Sequence, residues 1–163
     1  MKAIMKIVLS LLPLLAGVLL VGCEQVSDEK PVPSDKVGLD ARYVRSQVDP
    51  ARLIRGRDLF RKNCTVCHGL NAEGDTDWKK RDKDGKYPAP PLNGTGHAWH
   101  HPGKALMHTI KSGTKAIGGT MPAWKDRFTD EEIESIILWL QSSWPDELYQ
   151  AWARRDKESN KAR

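Results

Sequence analysis

A chain of 163 residues has room for one folded domain and not comfortably for two. At 39% hydrophobic and 29% charged it has the ordinary composition of a soluble globular protein. Its net charge of +5 is only mildly basic, and no dense Lys/Arg run appears, which excludes nucleic acid as the expected partner.

The amino terminus reads "MKAIMK", a basic start, followed by an uncharged stretch over residues 7–22 that Pro13 interrupts. A membrane span needs about 20 apolar residues, so this stretch is short for a span and suits a secretory core. It ends in "LVGC", residues 20–23, which resembles a bacterial lipobox. In lipoproteins that carry one, the cysteine is acylated and the chain is cut just before it. The resemblance implies a signal peptide over residues 1–22 and a lipid on Cys23. It also implies an exported protein held on the periplasmic side of a bacterial membrane, inner or outer left open. An uncleaved anchor is the competing reading. Each buried methylene of a lipid chain contributes about 0.8 kcal/mol, so several chains on one cysteine hold firmly. Residues 24–48 mix charges and prolines with little apolar periodicity, and with Cys23 they read as a tether.

A helix is predicted over residues 49–63, with Asp49 as N-cap and Pro50 at the first helical position. Leu53, Gly56 and Phe60 share one face, and Gly56 would let another backbone approach. "CTVCH", residues 64–68, follows at once. With Cys23 set aside, Cys64 and Cys67 are the remaining cysteines of an exported chain, where disulfides form readily. A redox disulfide would normally sit in a β-α-β setting, and no strand flanks this pair. A zinc site would need a second pair of ligands. The third reading is the C-x-x-C-H attachment signature of c-type haem. Both thiols then bond one porphyrin edge, and His68 is carried over the iron.

Residues 75–87, "DTDWKKRDKDGKY", form a charged insertion that reads as a solvated loop, with a docking surface for a redox partner as the alternative. Its "DKDG" lacks the spacing of a calcium loop. "HAWHH" groups His97, His100 and His101, which could bind copper or zinc; alternatively, His97 or Trp99 could close a haem edge. A short helix is predicted from Pro102 to a stop at Gly113, with Met107 filling core space and His108 at the surface. Met121 lies in an extended loop, where Gly118 and Gly119 allow close backbone approach and Pro122 keeps it out of the helix. Thr129 and Glu132 make a capping-box pattern ahead of an apolar stripe of Ile133, Ile136, Ile137 and Leu140. After Pro145, residues 146–163 read as a short helix fading into a charged tail. Strand alternation is absent, so the expected class is all-α with long loops.

Residues 50–145 resemble a class I monohaem cytochrome c of the bacterial exported lipoprotein kind. "GRDLFRKNCTVCHG" is similar to that family's first helix and haem motif, and "IILWLQS" to its last helix, with Gly56, Phe60 and Trp139 at the crossing. "APPLNG", residues 89–94, resembles its proline-leucine-glycine loop, and "GGTMPAW", residues 118–124, its methionine loop. The resemblance implies a cytochrome c domain over residues 49–145, with three to five helices around one haem c. It implies covalent bonds to Cys64 and Cys67, axial ligands His68 and Met121, and Pro90 as the carbonyl partner of His68, with Pro91 as neighbouring candidate. The expected function is one-electron transfer, not enzymatic turnover. The expected partners are redox proteins of a respiratory chain or a periplasmic oxidoreductase. Two alternatives stand beside it: a haem enzyme or gas sensor with a labile distal site, and a metal-handling protein that uses His97, His100 and His101.

Overall fold

Five helices and two single 3₁₀ turns account for the regular structure of residues 47–161, the part that the computed structural model describes. The expectations for the signal peptide, for Cys23 and for the tether through residue 46 lie outside the described residues. Helix α1 runs Pro50–Asn63, α2 Thr65–His68, α3 Gly103–Ser112, α4 Asp130–Ser142 and α5 Asp146–Lys161. The turns are Ala98–His100 and Lys115–Ile117. Among the described residues there is no strand, only one isolated parallel bridge between Tyr87 and Gly119. The molecule is all-α, as its patterning predicts.

The predicted caps form. The Asp49 carboxylate accepts from the Ala51 N–H at 2.9 Å, and Pro50 opens α1 where a helix has no use for an N–H. Thr129 and Glu132 close a reciprocal capping box on α4. Gly113, with φ of 69°, ends α3 in a conformation that suits glycine.

α1 crosses α4 at Gly56. A Cβ built there would stand 1.9 Å from the Ser135 carbonyl oxygen, so only a glycine permits this approach. One turn on, Phe60 is 1% exposed and packs on Trp139 with ring centroids 4.7 Å apart. Arg52–Glu134 at 3.0 Å and Arg55–Glu132 at 3.1 Å flank the crossing. Exposed pairs of this kind contribute about 0–1 kcal/mol each. Burying a phenylalanine contributes about 1.5–3 kcal/mol, so apolar packing decides the crossing.

The carboxyl-terminal helix is longer than its sequence reading. It spans 16 residues instead of fading early. Tyr149, Trp152 and Asp156 lie on one face at i, i+3 and i+7. Tyr149 is buried, and Trp152 meets Trp144 edge-on at 6.1 Å. The Trp152 indole N–H donates to the His101 carbonyl at 3.0 Å, and Asp156 accepts from the Gly103 N–H at 2.7 Å, capping α3. The charged residues of this segment mask that stripe in a composition-based reading.

Candidate haem site

α1 delivers the cysteine motif. Its last turn closes through the Cys64 N–H donating to the Phe60 carbonyl at 2.8 Å, and α2 follows with only Cys64 between. The His68 N–H donates to the Cys64 carbonyl at 2.9 Å, so Cys64, Cys67 and His68 occupy one helical turn. The two cysteines form no disulfide with each other; Cys64 is half-buried and Cys67 exposed. Burial, with the neighbouring Cys67 second, pushes the Cys64 thiol from 9.0 up to about 11. Burial also holds His68 below the usual histidine range, against the opposing pull of the Pro90 carbonyl.

His68 is 8% exposed, and its Nδ1 lies 3.3 Å from the Pro90 carbonyl oxygen. A neutral imidazole that donates Nδ1–H there carries its lone pair on Nε2, the arrangement of a ligating histidine. The proline loop is fixed from behind. The Gly74 N–H donates to the His68 carbonyl at 2.9 Å, the Asp75 N–H to Ala89 at 2.8 Å, and the Leu92 N–H to Ala72 at 2.8 Å. Gly74, at φ of 65°, has no space for a Cβ, which would meet the Pro90 carbonyl carbon at 2.5 Å. Ala72 holds a φ of 57° without being glycine and is 1% exposed, a strained residue kept by its buried setting.

The methionine loop is pinned to the end of α3. The Thr114 N–H donates to the Met121 carbonyl at 2.9 Å, and the Met121 N–H donates to the Thr114 hydroxyl at 3.1 Å. The Trp124 N–H reaches Ile110 and Lys111 at 3.1 and 3.2 Å.

These segments enclose a cavity of about 350 Å³. Cys64, Cys67, His68 and Met121 all line it, and Leu106, Ile137, Leu140 and Trp144 give it apolar walls. Two thiols, one imidazole and one thioether in a largely apolar chamber suit an iron porphyrin: soft sulfur and nitrogen for the metal, hydrocarbon for the ring. Met107 lines a different groove of about 630 Å³ with His108, Lys104 and Gln141.

The three imidazoles of "HAWHH" do not converge. His97 stacks on Trp78 at 5.1 Å and meets His101 edge-on at 5.3 Å, while His100 stacks on Trp99 at 3.6 Å. Burial first, then His101 and His100, lowers the pKa of His97. Among the described residues no three His, Cys, Asp or Glu side chains are grouped to hold a metal ion. The Trp99 indole N–H is engaged locally, by the Gly96 carbonyl at 3.2 Å.

Among the cavity residues that the sequence reading did not single out are Tyr87, Leu106, Thr114 and Trp144. The Trp144 indole N–H donates to the Leu92 carbonyl at 2.7 Å, tying the end of α4 to the proline loop. Nothing local in the sequence signals that pairing. The charged insertion is a solvated loop but not a detached one, because the Tyr87 N–H donates to the Gly118 carbonyl at 3.3 Å.

A helical frame crossed at a glycine, with a C-x-x-C-H turn opening into an apolar chamber, is the frame of a cytochrome c domain. The chain belongs to the family described as cytochrome c oxidase, cbb3-type, subunit III, whose model matches residues 51–140. Over 113 residues it is 33% identical to the cbb3-type cytochrome c oxidase subunit CcoP of Azospirillum brasilense, covering 66% of this chain and 35% of that one. Over 85 residues it is 29% identical to cytochrome c6 of Bryopsis maxima, covering 52% of this chain and 84% of that one. The chain thus spans about a third of the length of the CcoP relative. The crystal structure of cytochrome cL from Methylophaga aminisulfidivorans superposes with a TM-score of 0.50 at 24% identity, covering 69% of this chain and 67% of that one. That likeness shows the fold alone. Family membership supports haem c as the cofactor and electron transfer as the kind of work done.

Proposed function

We propose that this chain is a one-electron carrier on the periplasmic side of a bacterial membrane, with a single haem c bonded to Cys64 and Cys67 and ligated by His68 and Met121. Its lipid anchor is Cys23, its signal peptide residues 1–22, its tether residues 23–48 and its haem domain residues 49–145. The observation that carries this reading is the convergence of two thiols, an imidazole and a thioether on one apolar cavity. When bound, the haem supplies a single electron by cycling between ferrous and ferric iron. The chain does the rest. His68 is oriented by the Pro90 carbonyl, which fixes its tautomer. The Met121 sulfur favours the ferrous state and raises the potential. Leu140 and Trp144 give the cavity apolar walls. With His68 and Met121 both held by the iron, a bound haem would have no place left for a substrate, which favours a carrier over an enzyme. Several relatives are cbb3-type oxidase subunits, so redox proteins of a respiratory chain are the proposed partners, with a periplasmic oxidoreductase as the other class.

Two measurements test the reading. Haem stain on a denaturing gel should disappear in the Cys64→Ala, Cys67→Ala variant. Reduced wild type should exclude carbon monoxide, and reduced Met121→Ala should bind it. Equal carbon monoxide binding by both, with no change in potential, would remove Met121 as ligand and the carrier reading with it.

A further inference from the structure

We propose that the charged insertion, residues 75–87, is a latch on the methionine loop, and that Arg81 is its positioning residue. The inference rests on Met121 as axial ligand and adds what controls how firmly that ligand is held.

The insertion is anchored at both ends of the cavity. At its start the Asp75 N–H donates to the Ala89 carbonyl at 2.8 Å, and the Trp78 ring lies nearly parallel to His97, at 10°. At its end Tyr87 bridges to the methionine loop, pairing with Gly119 and donating its N–H to Gly118. Between these anchors the chain doubles back in a closed turn. The Asp82 carboxylate accepts from the Asp84 and Lys86 N–H groups, each at 2.9 Å, and the Asp82 N–H donates to the Lys86 carbonyl at 2.8 Å. Gly85 takes the positive φ, 73°, that such a turn requires.

The turn brings Arg81 back onto Tyr87. Its guanidinium carbon stands 4.5 Å from the Tyr87 ring centroid, and it also donates to the Gly85 carbonyl. Tyr87 lines the haem cavity. Its backbone holds Gly118, three residues before Met121, and Arg81 lies against its ring. To release the Met121 sulfur, the loop must leave Thr114 on one side and Tyr87 on the other. Thr114 grips Met121 itself through two hydrogen bonds. Arg81 braces the second grip from outside the cavity without entering it.

The opening rate of the loop can be read directly. Imidazole added to the ferric holoprotein takes the iron position only after the sulfur has left, so at saturating imidazole the exchange rate becomes the opening rate. Loss of the red absorption band of sulfur-ligated ferric haem reports it. Arg81→Ala should raise that limiting rate about two- to fivefold, the factor corresponding to an exposed cation–π contact. Lys83→Ala removes the same charge from the same exposed turn but touches neither Tyr87 nor the loop, and should leave the rate unchanged. In a Tyr87→Leu background, Arg81→Ala should add nothing. An unchanged rate in Arg81→Ala, or an equal rise in Lys83→Ala, overturns the latch while leaving Met121 as ligand. A wild type with no sulfur band and no saturation in imidazole overturns the Met121 assignment, and the latch falls with it.

Discussion

Thr129 and Glu132 show how much a short stretch of sequence can determine at the scale of one residue. The Thr129 N–H donates to the Glu132 carboxylate at 2.9 Å, and the Glu132 N–H returns the bond to the Thr129 hydroxyl at 3.2 Å. Arg55 adds a third partner at 3.1 Å. The backbone bond to Thr129 is the largest cause, and Arg55 adds to it, of a Glu132 carboxyl held below its ordinary 4.5. The sign follows from linkage. A carboxyl whose folded pKa is depressed adds stability that is fully present above the unfolded value and is lost as pH falls through the folded one. Glu132→Gln should therefore be less stable than wild type at neutral pH, and the two should converge as the pH drops below 4.5 and then through the lower folded value. Denaturant midpoints across an acid series check this, and a gap that persists undiminished into strong acid would assign the effect to shape, not charge. The capping box was legible because its partners are three residues apart. The approach of His68 to Pro90, across 22 residues, was expected only from a family resemblance. The grip of Thr114 and Tyr87 on the methionine loop was not legible at all. It runs largely through backbone N–H and C=O groups, which every residue type except proline carries in full.

Between elements, the α1–α4 crossing depends on one missing side chain. Gly56→Ala would set a methyl group against the Ser135 carbonyl and force the helices apart. The expected loss is about 3 kcal/mol, the upper end of overpacking costs. Thermal or urea unfolding of the holoprotein measures it, with the haem stain retained because the cysteine motif is untouched. A melting point within about 2 °C of wild type would mean that the crossing has slack. This contact was readable in outline, since a glycine among apolar residues on a helix face suggests a close approach. α5 was not readable to its full length. Its apolar stripe is narrow, two aromatic rings and a capping aspartate, and the charged residues around it, acidic and basic, outweigh it in a window average. What reveals it is the partner surface, Trp144 and the His101 carbonyl, which only folding assembles. The insertion is the solvated loop that its charges predict, with mostly exposed side chains; what the sequence did not show is that its backbone is engaged at both ends.

For the molecule as a whole, no helix of the described residues is long and apolar enough to cross a membrane. If the lipid on Cys23 is the anchor, Cys23→Ser should stall processing or release the protein from membranes. Fractionation with a high-salt wash decides it: a variant that stays fully bound is held by something else. The burial of Cys64 has a consequence of another sort, one of timing. A chain is made from its amino end, so the two thiols and His68 exist before Ile136 and Leu140, the residues of α4 on whose cluster Cys64 packs. Until those pack against it, the Cys64 thiol lacks part of the burial that raises it to about 11 in the closed fold. Thioether chemistry needs the thiolate. A haem bonded at Cys64 would therefore be joined more readily to a chain whose α4 has not yet closed on this cluster than to the finished fold.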